Sequence, residues 1–287
     1  MNRLNNRKFK NFVFCTVNEI RTMISKRFFR FSFTFVMVMI AFKIFEIQTE
    51  WIWDKSGDHW SLIENIMYLF WGQREYRFSG KATDGFTVPF VWLFVIALLM
   101  FNEGDLIGED YNSHGVLKLV RSQSRLLWWL SKCITALVGT LIYMVVIVLV
   151  GLGYEWLEFG GISTDVHAHM IINWFGTESI SLFSENGYMI FTVIILFLIF
   201  QSLMFLFLNM LINNLSAVII MISYNIAGVY YGNAFFPFAY GMLVRYCNSA
   251  EPGITVLNET VGSLYLLTIS LIIIVVGGFI FTKKDII

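Results

Sequence analysis

Six long apolar runs constrain this chain more than any other feature, at about 29–49, 88–107, 130–152, 187–209, 216–235 and 262–282. Each approaches the roughly 20 residues with which a helix crosses the hydrocarbon core of a bilayer. Backbone in lipid has to satisfy its own hydrogen bonds, so runs of this length predict helices rather than irregular chain. Composition agrees, with 57% hydrophobic and only 14% charged residues, against about 25% charged in soluble domains. The expected fold is all-α: a single polytopic transmembrane domain over residues 1–287 with six membrane helices. The first run follows a long basic leader without a small-residue cleavage site, so it reads as a retained helix and not a removed signal peptide.

The charges are sorted by side. Arg3, Arg7, Lys8, Lys10, Arg21, Lys26, Arg27 and Arg30 precede the first run against Glu19 alone, and the tail carries Lys283 and Lys284. The stretch after the second run holds Glu103, Asp105, Glu109 and Asp110, then Lys118, Arg121, Arg125 and Lys132. Segment 153–186 has Glu155, Glu158, Asp165, Glu178 and Glu185 with no Lys or Arg, and the last outer loop adds Glu251 and Glu259. Lys and Arg mark the cytoplasmic side, which predicts a cell-membrane protein with both termini inside.

Within that frame the local patterns are specific. In residues 9–27, Phe9, Phe12, Val13, Val17, Ile20 and Ile24 share a helical face, which predicts an amphipathic helix resting on lipid headgroups at the inner interface. Residues 102–130 form a cytoplasmic loop. Val116, Leu119, Val120, Leu126 and Leu130 recur there at helical spacing beside a stripe of Lys118, Arg121 and Arg125, suited to lipid or to a soluble partner. Lys43 and Glu46 lie three apart, late in the first span; they either snorkel toward water or line a substrate path. Residues 60–71 predict a short helix on the outer surface. Gly228 and Gly232 make a GxxxG pair for helix packing or dimerisation. After it, Pro237, Gly241 and their aromatic neighbours predict a half-inserted outer segment before the last helix, anchored at the headgroups by Arg245. His167, His169 and Asp165 lack a fourth ligand, and Cys15, Cys133 and Cys247 form no motif, so no metal site is expected.

Missing motifs narrow the function. The chain has no GxxxxGK[ST], GxSxG or HExxH sequence, and no run of membrane acids or histidines of the kind proton-driven pumps use. It reads as a non-enzymatic membrane subunit without its own ATP site or other cofactor, contacting lipid and not nucleic acid.

Taken in order, these features resemble the membrane subunits of type 2 ATP-binding-cassette (ABC) exporters. The resemblance rests on the basic interfacial helix, the six spans and the outer half-inserted segment. It rests also on Glu103 or Asp105, Gly108, Ser124-Arg125 and Lys132 in the first cytoplasmic loop, and on the terminal Phe281-Thr282-Lys283-Lys284-Asp285. Gln123 stands where the family often has a proline before the Ser-Arg pair. The resemblance implies a permease that pairs with a second permease subunit, as a homo- or heterodimer, over cytoplasmic ATPases that hold ATP and Mg. Coupling would run through Glu103, Asp105, Gly108, Glu109, Asp110, Lys118, Arg121 and Arg125. An amphipathic or antimicrobial peptide is the expected cargo, for export or self-immunity; a lipid-linked or polysaccharide substrate, or a non-transporting anchor or peptide sensor, is the alternative.

Overall fold

The computed structural model describes residues 2–56, 59–76, 86–104, 106, 124–176, 187–231, 233–247 and 256–283, excepting the side chains of 2–9, 53–56 and 187–190. Among them the chain is all-helical. The helices are α1 (Asn2–Ser56), α2 (Leu62–Phe70), α3 (Phe90–Glu103), α4 (Arg125–Phe159), α5 (Ala168–Phe175), α6 (Gly187–Leu211), α7 (Asn214–Tyr230) and α8 (Glu259–Lys283). Two 3-10 helices, Pro237–Gly241 and Leu243–Tyr246, lie between α7 and α8.

Four helices, α1, α4, α6 and α8, are long and apolar enough to cross a membrane. The expected second and fifth spans are shorter: α3 has 14 residues and α7 has 17, or about 21 and 26 Å at 1.5 Å per residue.

The first correction concerns α1. The interfacial helix at 9–27 and the span at 29–49 are one uninterrupted helix of 55 residues. No Gly or Pro occurs between Asn2 and Ser56, so nothing breaks the hydrogen-bond ladder where the composition changes from basic to apolar. At about 82 Å it far exceeds a hydrocarbon core of roughly 30 Å. A second correction is that α4 begins at Arg125, so Arg125 and Lys132 are helical and the loop is shorter than 102–130. Gly160 stops α4 in the left-handed conformation, φ 70°, its N–H bonding Trp156 O.

Contacts between the helices fix their directions. Glu19 meets Lys132 near one end and Lys43 meets Glu158 near the other, so α1 and α4 run parallel. Arg125 reaches Thr282 O and Trp129 reaches Ile274 O, so α8 is antiparallel to α4. Gln201 pairs with Asn225 and Asn209 with Asn214 across the α6–α7 hairpin. One end of the bundle is therefore basic, with Arg27, Arg30, Arg125, Lys132 and Lys283. The other is acidic, with Glu64, Glu155 and Glu158.

The acidic end is closed by an aromatic cap. Phe45 of α1 stacks on Tyr68 of α2 at 4.1 Å and meets Trp60, Trp174 and Phe175. The expected helix at 60–71 is present as α2, started by a Ser61–Glu64 capping box. It is packed down, with Ile66, Met67, Leu69 and Phe70 buried.

Segment 233–247 is apolar, irregular and, from Phe238 on, buried against the bundle. Protein shields its backbone: Trp92 Nε1 donates to Gly241 O at 2.7 Å and Val244 N to Trp71 O at 3.1 Å. Arg245 is a third correction. It is not at the surface: its guanidinium is buried and donates to Gln73 O and Val229 O, 3.1 and 2.9 Å away. The carbonyl of Gln73 after α2 and that of Val229 in the last turn of α7 lack helical donors, and the buried guanidinium supplies them.

Candidate functional site

The richest polar junction lies at the basic end, where α3 stops. The last carbonyls of any helix lack intrahelical donors. Here α1 supplies them. Arg27 Nη1 donates to Asn102 O at 2.7 Å, and Arg30 Nη1 to Gly104 O at 2.7 Å and Phe101 O at 3.2 Å. Arg30 also lies over the Phe101 ring. Asn102 is tied back by its amide, which donates to Thr34 Oγ1 at 2.7 Å.

Glu103, the last residue of α3, is almost fully buried. The Ser202 hydroxyl of α6 donates to its Oε1 at 2.6 Å, and the Thr140 hydroxyl of α4 lies 3.0 Å from the same oxygen. Arg27 is close enough to act on it electrostatically. A single carboxylate thus joins α1, α3, α4 and α6, directly before residues 105–123. Gly139 of α4 lies against this site, where a Cβ would stand 3.3 Å from Met23 Sδ and 3.6 Å from Glu103 Oε1.

About two turns further toward the N-terminus of α4, Lys132 Nζ and Glu19 Oε2 pair at 2.7 Å with both side chains largely buried. Trp128 stacks on Phe281 at 4.7 Å, and Arg125 Nη1 donates to Thr282 O at 3.3 Å. The start of α4 and the Phe281-Thr282-Lys283 stretch of the tail motif are therefore neighbours.

Residues 62–287 match the family described as protein of unknown function (DUF2705), which spans well over half of the chain. The chain belongs to the DUF2705 family. No curated protein and no solved structure matches it. The match begins at Leu62, the first residue of α2, so in this DUF2705 member α1 with Arg27 and Arg30 lies before it.

Of the sequence-predicted coupling residues in this DUF2705 chain, Glu103 and Arg125 are placed. Asp105, Gly108, Glu109, Asp110, Lys118 and Arg121 lie outside the described residues, as do Gly232, Lys284 and Asp285. Lys43 and Glu46 form a lateral network: Lys43 Nζ is 3.0 Å from Glu46 and 3.2 Å from Glu158, and the Tyr154 hydroxyl donates to Glu46. Gly228 packs within the chain, where a Cβ would lie 2.8 Å from that of Phe238.

Sequence reasoning counts Arg27 and Glu155 only as charges that set the orientation, and it does not single out Thr140, Ser202 or Glu64. Glu64 had a readable signal, the Ser-x-x-Glu of a capping box. Its carboxylate also accepts His167 N–H at 2.7 Å and lies 3.2 Å from His167 Nδ1. Burial pushes the Glu64 carboxyl above its ordinary range, opposed by the Ser61 and His167 donors. Among the described residues no three His, Cys, Asp or Glu side chains gather as metal ligands.

Proposed function

We propose that the chain is the permease subunit of a type 2 ABC exporter, driven by a separate cytoplasmic ATPase and moving an amphipathic peptide outward. The observation carrying this reading is the grip of Arg27 and Arg30 on the end of α3, where residues 105–123 begin. A partner pulling on that loop moves α3 first, and the two arginines and Glu103 pass the displacement to α1, α4 and α6. The order of elements supports it too, with a buried irregular segment just before the last long helix.

In this reading α3 and α7 also cross, which makes six spans with both termini cytoplasmic, in keeping with the basic end being inside. Their apolar cores are short, so the bilayer thins locally or flanking residues complete the crossing. The aromatic cap, with Glu158 and Asp165 exposed beside it, then faces outward, a setting suited to an amphipathic cargo. Two permease copies or paralogues complete the transporter.

Co-expression with the neighbouring reading frames tests the reading. An ATP hydrolase should co-purify with the detergent-extracted chain, and Arg121→Glu with Arg125→Glu should lower its recovery about tenfold, the factor that 1.4 kcal/mol represents. Membrane insertion should be unchanged. Transport by the chain alone in liposomes would point instead to a different energy source and overturn the assignment.

A further inference from the structure

At the acidic end, segment 160–167 runs from α4 to α5 and is fastened by two buried carboxylates, Glu155 of α4 and Glu64 of α2. Glu155 Oε2 accepts Ser163 N–H at 2.9 Å, and Ser163 O accepts Leu62 N–H at 3.1 Å. Glu64 accepts Ser61 N–H at 2.8 Å and His167 N–H at 2.7 Å, with His167 Nδ1 at 3.2 Å from its second oxygen. Glu64 and Glu155 are buried, and Glu155 Oε1 has no hydrogen-bond partner. The two carboxylates are close enough to repel each other.

We propose that this cap carries a proton-binding site shared by the Glu64 and Glu155 carboxyls, and that the cap loosens when the proton leaves. With every group deprotonated, two negative charges sit in a dry site and only neutral N–H donors oppose them. Such a pair does not hold both charges readily. One proton from solvent on the unpartnered Glu155 oxygen removes one unit of that excess and leaves the three backbone hydrogen bonds intact.

The other described charges on the packed elements do not cancel the excess. On α1, Lys43 is engaged by Glu46 and Glu158. Tyr154 of α4 donates to Glu46. Asp165 and His169 are exposed beside His167, and His59 stacks on Phe159. The sign follows: rising pH removes the shared proton and frees segment 160–167. Strong acid also frees it, because a protonated Glu64 loses acceptor strength toward Ser61 and His167. The site is independent of the transport reading, since it needs only this chain.

Hydrogen exchange of the purified full-length chain tests it, with rates corrected for intrinsic pH dependence. Opening of 160–167 should increase between about pH 6 and 8, where a buried carboxyl pair that resists a second charge gives up its proton. One linked proton allows a slope of up to about tenfold per pH unit. Segment 270–280 of α8 should show no such slope. Glu155→Gln keeps an acceptor for Ser163 but removes a charge; it should slow opening at the alkaline end and flatten the profile, whereas Glu155→Ala should speed opening throughout. A flat wild-type profile overturns the proposal whether or not the variants fold. A Glu155→Gln chain that loosens like Glu155→Ala overturns it as well, because Glu155 would then be a structural acceptor only.

Discussion

Gly228→Ala is expected to destabilise the folded chain by about 1–3 kcal/mol, the usual cost of forcing extra atoms into a packed core. The added Cβ would stand 2.8 Å from Phe238 Cβ, 3.1 Å from its carbonyl carbon and 3.2 Å from its oxygen. Two of those atoms are backbone of segment 233–247, which is held by bonds to Trp92 and Trp71 and cannot retreat freely. Phe238 itself is wedged between Phe200 and Tyr224. Gly228→Leu should prevent the segment from seating at all. The control is Gly153→Ala in α4, where nothing lies within 4 Å of the new atom; relief of glycine's low helix propensity should then stabilise by up to about 1 kcal/mol. Thermal unfolding of the purified variants in one detergent separates the two. Equal shifts would mean that α7 does not pack on segment 233–247 as described. A change of oligomeric state at unaltered melting temperature would mean that Gly228 serves contact between copies.

That pair of glycines shows what the sequence could and could not convey. A GxxxG spacing announces close approach but not its partner, and here the partner of Gly228 is an irregular turn ten residues later. The apolar runs revealed helices because each buries or exposes a continuous apolar surface, and the places of α4, α6 and α8 followed directly. The start of α1 was misjudged for the opposite reason. A change from basic to apolar side chains alters the environment a helix prefers, yet Gly and Pro are what most strongly interrupt its backbone, and neither occurs between Asn2 and Ser56. Burial of single charges was the least legible feature. Arg27 reads as one more member of a basic leader, and Glu103 as the first acid of a cytoplasmic coupling loop. Their neighbours Thr140 and Ser202 stand 37 and 99 residues from Glu103 in sequence. No local pattern encodes such a convergence.

Arg27→Ala should have the larger effect of any single truncation at the basic end, about 3–5 kcal/mol, the range measured when one member of a buried charge pair is removed. Its guanidinium is buried and does two things at once: it supplies the donor for Asn102 O at 2.7 Å, and it places positive charge near the buried Glu103. Without it, a helix-terminal carbonyl loses its donor and the carboxylate keeps only the Ser202 and Thr140 hydroxyls, with no positive charge beside it. Glu103→Gln should cost much less, since the amide oxygen still accepts from Ser202 and the lost charge no longer needs a counter-ion. The two changes should therefore couple. In the Arg27→Gln, Glu103→Gln double variant the loss should fall short of the sum of the singles by more than the roughly 0.5 kcal/mol within which independent sites add. Arg30→Gln, whose parent donates to the Phe101 and Gly104 carbonyls at the same helix end, should combine additively with Glu103→Gln. Melting temperatures of the five variants in one detergent decide the matter. Additivity for both pairs would leave Arg27 as a helix cap and remove the charge link from α3 to α1, on which transmission from the loop depends.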